Sequence, residues 1–282
     1  MENINAVALQ DLQRSALNED TIRGMGCYSL PPGKDRVEWL KNNLGYAKRK
    51  KSCLSQVCSD ILAFPYPCDD YTRVRLYPAI DDAKYLCAKG SSTHLYYLKS
   101  DEKKLRKNHI PIIFNEGEKK TACVSQFAGQ QYLSLGSSGI TQWKNCPEWK
   151  QITLKGREVY IAFDRPEIRK PDLEKQLLSL WLWLWKRRAI PKIISWDPEY
   201  EKIDDWLCAI NTSKDKSCID AIKESISSAQ TNVFDEIKDI DEDYFAETPP
   251  KVAHTFWRRM FCDIFYRPEL LSQSTCYFSC VP

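Results

Sequence analysis

Ile110-Pro111-Ile112-Ile113-Phe114-Asn115-Glu116-Gly117-Glu118-Lys119-Lys120 is the stretch whose reading decides the fold. A short apolar run passes directly into a carboxylate and a glycine, and a segment of helical composition follows. Two later stretches repeat the theme. Val159-Tyr160-Ile161-Ala162-Phe163 ends in Asp164, and Lys192-Ile193-Ile194-Ser195-Trp196 is soon followed by Asp204-Asp205. Continuous apolar runs of about five residues, separated by helical segments, read as parallel strands buried on both faces. Ligands of such sheets sit beyond the carboxyl ends of the strands, so Glu116, Asp164 and the Asp204/Asp205 pair are expected to converge there. A set of oxygen donors without nearby His or Cys suits Mg²⁺, with Mn²⁺ as the alternative ion. The chemistry that arrangement serves best is phosphoryl transfer.

The surrounding chain is ordinary for a soluble globular protein. It has 282 residues, 43% hydrophobic and 28% charged, and a formal net charge of +3. That excess is too small to indicate or exclude nucleic acid, because a local basic stripe matters more than the sum. The 12 cysteines are scattered, with no C-x-x-C pair, and no secretory signal precedes them. They read as reduced thiols in a cytoplasmic protein, and no zinc is expected. The longest apolar run, residues 177–185, is interrupted by Ser179 and stops at Lys186-Arg187-Arg188. It falls short of the about 20 residues a bilayer requires, so no membrane span is expected.

Upstream, Leu9, Leu12 and Ala16 recur at helical spacing, and Asn18 offers an N-cap for a second short helix through Ile22, together a helical hairpin. Gly33-Lys34 is not a phosphate loop: six residues separate Gly26 from Gly33 where the motif needs four, and Asp35 stands where Ser or Thr is required. The run Lys48-Arg49-Lys50-Lys51 reads as a solvated loop or a phosphate contact.

From residue 60 to 98 the pattern becomes alternating: Thr72-Arg73-Val74-Arg75-Leu76-Tyr77, Lys84-Tyr85-Leu86 and His94-Leu95-Tyr96-Tyr97-Leu98 predict a small antiparallel sheet. Arg73 and Arg75 share one face of their strand. With Tyr71, Tyr77, Tyr85, Tyr96 and Tyr97 nearby, that face either binds single strands by charge and stacking or forms the polar outside of a tyrosine-rich core. Arg73, Arg75, Lys89 and Lys119 are the candidate nucleic-acid contacts.

Residues 101–107 form a charged connector. The predicted division is therefore residues 1–109, hairpin plus small sheet; 110–210, the α/β domain; and 211–282, an acidic linker and an aromatic, basic C-terminal segment. Within the α/β domain, residues 118–127 predict a helix and residues 131–135 a further strand leading into Gly136-Ser137-Ser138-Gly139, either a phosphate-approaching loop or a plain small-residue turn. Pro171 opens a helix to about Arg188 whose leucines and tryptophans wrap more than one face. Residues 235–247 are strongly acidic, Pro249-Pro250 breaks any helix, and residues 254–265 predict an amphipathic docking helix.

Taken together, Glu116-Gly117-Glu118-Lys119-Lys120, Gly139, Trp143, Lys155-Gly156-Arg157, Ala162-Phe163-Asp164 and Ile203-Asp204-Asp205-Trp206-Leu207 resemble the TOPRIM domain of bacterial primases, topoisomerases and some nucleases. The version they look most like stands at the front of plasmid and phage replication proteins. Ser15-Ala16-Leu17 and Val74-Arg75-Leu76 through Leu95-Tyr96-Tyr97 also resemble that family's leading segment, so the likeness spans roughly residues 8–210.

The resemblance implies a TOPRIM-like, Rossmann-like, mostly parallel sheet flanked by helices and preceded by a small α+β region. It implies Glu116 as general acid or base with Lys120 beside it, and Asp164, Glu167, Asp204 and Asp205 as metal ligands. It implies DNA or RNA as partner, and a replicative helicase or other replication protein acting in trans. One position departs from the family: its second Asp-x-Asp aspartate is here Pro166, with Glu167 one residue on, which weakens the ligand set. The alternative reading is therefore a degenerate, non-enzymatic module that binds DNA, RNA or a protein partner.

Overall fold

Five strands form the larger sheet in the order β5-β7-β6-β8-β9. They are β5 (Leu95–Tyr96), β6 (Ile112–Glu116), β7 (Leu133–Ser137), β8 (Glu158–Ala162) and β9 (Ile190–Ile193). Strands β7, β6, β8 and β9 run parallel, and β5 joins the β7 edge antiparallel through Leu95 opposite Ser137. This is the mostly parallel sheet flanked by helices that the apolar runs predict. The computed structural model describes residues 3–45, 58–68, 70–80, 83–164 and 171–229. Every described residue belongs to one compact unit within residues 1–231. The expected basic loop at 48–51, Pro166, Glu167, the acidic stretch at 235–247 and the segment at 254–265 lie outside the described residues.

Both faces of the sheet are covered, which is why its strands show no polar alternation. On one face Ile113, Tyr160 and Ala162 pack with helices α4 (Glu118–Ala128), α6 (Ile203–Ser213) and α7 (Cys218–Ser227). On the other, Phe114 stacks on Trp149 at 5.6 Å, and Trp149 meets Trp183 of α5 (Pro171–Lys186) at 4.8 Å. The tryptophan-rich helix is thus the second cover of the sheet.

The N-terminal hairpin is α1 (Ala6–Arg14) and α2 (Glu19–Met25), the second capped by the Asn18 side chain on the Thr21 amide. Gln126 of α4 clamps the turn between them, donating to the Ala16 carbonyl and accepting from the Asn18 amide. The smaller sheet has the order β1-β2-β3-β4: Tyr28–Ser29, Asp60–Pro65, Thr72–Ile80 and Ala83–Leu86. Helix α3 (Lys34–Leu44) covers it, and the buried Arg36 fastens it to the Leu30 and Cys58 carbonyls.

Two expectations are revised here. The segment at 94–98 contributes β5 to the parallel sheet and not to the antiparallel one, because β5 supplies the edge hydrogen bonds of β7. The antiparallel sheet draws its remaining strands from Tyr28–Ser29 and Asp60–Pro65, the latter a buried run with no alternation. Through β5 the larger sheet extends across the expected boundary at 109/110.

The beginning of β8 is held by Arg157, fully buried and, among the described residues, bonded only to carbonyls, those of Lys104, Leu105, Ile110 and Thr153. Burial lowers its pKa to about 10. Carbonyl dipoles alone support this guanidinium, and in doing so they anchor the connector Lys99–Lys104 to the sheet.

Candidate functional site

At the carboxyl end of β6 the backbone turns sharply into α4. Gly117 has φ +85° and ψ 164°, a conformation in which a Cβ is strained, and its amide donates to the Ser137 carbonyl at 2.7 Å. Gly136 on the neighbouring strand has no room for a side chain: a Cβ there would lie 2.0 Å from the Thr121 hydroxyl. Two glycines thus let β6, β7 and the first turn of α4 approach closely. The result is that Glu116 stands at the strand end, and Glu118, Lys119 and Lys120 leave in different directions from the helix start.

Lys120 turns toward β8, where its Nζ lies 2.6 Å from Asp164 Oδ2. Burial favours a neutral Asp164 and raises its pKa. The charge of Lys120 acts against that, and that of Asp204 adds to it. Glu116 behaves alike: burial raises its pKa, Lys120 opposes, and the charge of Asp164 raises it further. Lys120 keeps a raised pKa because Asp164, Asp204 and Glu116 outweigh its own burial. Glu116, Lys120, Asp164 and Asp204 therefore form one electrostatic cluster at the carboxyl ends of β6 and β8.

The two predicted ligands at 204 and 205 part company. Asp204 is buried in the first turn of α6, where the helix dipole favours a carboxylate. Asp205, one position round the helix, is half exposed and paired with Lys202 at 3.6 Å. Glu167 lies outside the described residues.

Would this set suit a divalent cation? Asp164 Oδ1 and Asp204 Oδ1 are buried oxygens without a hydrogen-bond partner among the described residues. Orphan oxygens occur also at Asp60 and Glu118. What distinguishes Asp164 and Asp204 is that each lies in the field of the other, with Glu116 close by. Oxygen donors of this chemistry fit Mg²⁺ or Mn²⁺, but among the described residues Glu116, Asp164 and Asp204 do not bring their donor atoms within 4.8 Å of one another, so a shared ion would have to draw them together.

The predicted nucleic-acid contacts fare differently. Arg73 donates to Glu118 at 3.0 Å, and Glu118, 1% exposed, also accepts from the Tyr66 hydroxyl at 2.7 Å. Arg75 and Lys119 both pair with Asp11 of α1 at 3.1 Å, and Tyr77 donates to the same carboxylate at 2.7 Å. Arg73 lies over the Tyr85 ring at 4.3 Å, while Tyr66, Tyr71, Tyr77, Tyr96 and Tyr97 are core residues. The face shared by Arg73 and Arg75 thus turns inward, because it meets carboxylates from α1 and α4. Of the four candidates, only Lys89 is exposed.

Sequence reasoning passed over Asp11, the hub of this network. A signal existed: Asp11 stands three residues from Ala8 and four from Ser15, both buried, so a carboxylate occupies the inner stripe of α1 and needs partners.

Residues 102–214 match the family model described as Domain of unknown function (DUF3854). No curated protein matches the chain. Solved structures do. The catalytic core of DnaG is 14% identical with a TM-score of 0.53, over 92% of this chain and 89% of that one. The zinc-binding and RNA polymerase domains of the Aquifex aeolicus primase are 12% identical with a TM-score of 0.53, over 80% of this chain. The chain spans 56% of that protein's length. The DnaG primase catalytic domain bound to ssDNA is 15% identical with a TM-score of 0.50, over 80% and 74%. At these identities the likeness is one of fold: the chain shares the architecture of primase catalytic cores. No helix among the described residues is long and apolar enough to cross a membrane.

Proposed function

We propose that this chain is a TOPRIM-type protein of a plasmid or phage replication system that performs Mg²⁺-dependent, primase-like nucleotidyl transfer on single-stranded DNA. The observation that carries the reading is the electrostatic coupling of Asp164 to both Glu116 and Asp204 at the carboxyl edge of a parallel sheet, with buried oxygens on Asp164 and Asp204 that have no hydrogen-bond partner among the described residues. The fold likeness to primase cores, one of them bound to ssDNA, supports it.

In this reading Asp164 and Asp204 hold the metal. When bound, it neutralises charge developing on the transferred phosphoryl group and orients the attacking oxygen. The protein's own groups do the rest. Glu116, its pKa raised by burial and by the charge of Asp164 despite Lys120, takes the proton of the attacking hydroxyl. Lys120 exchanges Asp164 for a phosphate oxygen of the incoming nucleotide, its positive charge secured by the carboxylates around it. The inward network of Asp11, Arg75 and Lys119 fixes the start of α4 and with it the positions of Glu116 and Lys120.

The test is Mg²⁺-dependent primer synthesis on single-stranded DNA, scored together with strand cleavage. Activity lost in Glu116→Gln and Asp164→Asn supports the proposal; activity unchanged in both removes this site from the chemistry. A second reading is a binding module that keeps the fold without catalysis, and the Lys120–Asp164 ion pair favours it, since a lysine already neutralises the key aspartate. DNA binding without Mg²⁺ binding would select it.

A further inference from the structure

Away from the carboxylate cluster, three side chains of a different chemistry meet. Cys68 comes from the turn between β2 and β3, His94 from the residue before β5, and Glu148 from the short helix Pro147–Gln151. One donor atom from each lies within 4.8 Å of the others. His94 Nδ1 is 3.3 Å from Cys68 Sγ and 2.6 Å from Glu148 Oε1.

We infer that Cys68, His94 and Glu148 form a second metal site, built for Zn²⁺ and separate from the carboxylate cluster. A cysteine, a histidine and a carboxylate could also be a nucleophile, a base and an orienting acid. That arrangement uses both imidazole nitrogens, one toward the nucleophile and one toward the acid. Here the thiol and the carboxylate converge on the same nitrogen, Nδ1. One nitrogen cannot serve both partners in a relay, but three donors pointing at a common space is what coordination requires.

The remaining atoms are arranged as supports. His94 Nε2 lies 3.0 Å from the Ser92 hydroxyl, the partner that fixes the tautomer of a metal-bound imidazole. The Tyr71 ring packs on the imidazole at 4.4 Å and holds its plane. Glu148, 2% exposed, accepts the Leu95 amide on Oε2 at 3.0 Å, which leaves Oε1 for the metal. Binding exchanges the proton between Nδ1 and Oε1 for the cation and releases the thiol proton. With bonds of about 2.0–2.3 Å, tetrahedral donors stand roughly 3.3–3.7 Å apart. The thiol–imidazole separation already meets this, and the 2.6 Å contact must open by about 0.7 Å.

Thiolate and carboxylate together balance the charge of one divalent ion. The sulfur and nitrogen donors select Zn²⁺ over Mg²⁺, and solvent supplies the fourth position. The ion joins the β2–β3 turn to the β5 edge of the larger sheet, where no covalent link exists.

Cobalt titration of the full chain in saturating Mg²⁺, which fills the carboxylate cluster, reads this site by its thiolate-to-cobalt absorption. One equivalent is expected, displaced by Zn²⁺. Cys68→Ser and His94→Ala should abolish the band and weaken binding on the order of tenfold or more, while Cys87→Ser keeps both. Should Cys68→Ser not fold, alkylation of the wild-type chain decides: Zn²⁺ protects Cys68. Absence of the band, its survival in Cys68→Ser, or equal alkylation with and without Zn²⁺ overturns the inference.

Discussion

Lys120 Nζ stands 2.6 Å from Asp164 Oδ2, so the ammonium group already occupies the carboxylate that the proposed divalent cation would need. Two unit charges about 4 Å apart near a protein surface interact by about 4 kcal/mol, enough for that competition to matter. Lys120→Met should therefore bind Mg²⁺ more tightly, by up to about tenfold, while losing most primer synthesis. Calorimetry beside an activity assay separates the two effects. Weaker Mg²⁺ binding in this variant would show that Lys120 does not compete.

Arg73 and Glu118 should matter to stability and not to phosphate contact. Breaking one partner of a buried pair costs about 3–5 kcal/mol. Arg73→Ala and Glu118→Ala are each expected to lose that much in urea unfolding, and the double variant to lose less than their sum. The salt dependence of DNA binding should keep its slope in any Arg73 variant that folds, since a residue touching no phosphate releases no counterion.

Asp11 gives the network a pH signature. Burial alone would raise its pKa, but Lys119, the Tyr77 hydroxyl and Arg75 outweigh it and leave it below the ordinary range. A carboxylate with a depressed folded-state pKa contributes stability that is complete above its unfolded value, about 3.9, and lost as pH falls through the folded one. Asp11→Asn should thus be less stable than the parent at pH 7, by about 1–3 kcal/mol. The gap should narrow below about pH 4. A gap that is constant across that window would rule out the electrostatic role.

The close approach at the start of α4 predicts that Gly136→Ala destabilises by about 1–3 kcal/mol, because the new methyl meets the Thr121 hydroxyl. Thr121→Ala in the same chain should recover part of the loss. Thermal unfolding of the single and double variants reads it directly.

Much of this architecture could be read before any coordinates. The parallel strands announced themselves because burial on both faces leaves continuous apolar runs, as in Ile112–Glu116. Alternation in 94–98 says that a strand exists and not which edge it completes, so the pattern alone does not place β5 on the larger sheet. That Glu116, Lys120 and Asp164 each sit at a strand end or in the first turn after one follows from the sequence pattern alone. The choice between Asp204 and Asp205 does not: consecutive helix residues point about 100° apart, and which faces the sheet depends on how α6 docks. Nor does the inward turn of Arg73 and Arg75, whose carboxylate partners are 45 and 64 residues away in sequence.

The most direct measurement is Mn²⁺ titration followed by electron paramagnetic resonance, with Mg²⁺ as competitor, on the parent chain and on Asp164→Asn, Asp204→Asn and Asp205→Asn. The account predicts one bound Mn²⁺ that Mg²⁺ displaces. Affinity should fall on the order of tenfold or more in the first two variants and less in the third, since affinity follows the number of charged ligands. No bound Mn²⁺ in the parent, or equal binding in Asp164→Asn and Asp204→Asn, would contradict it.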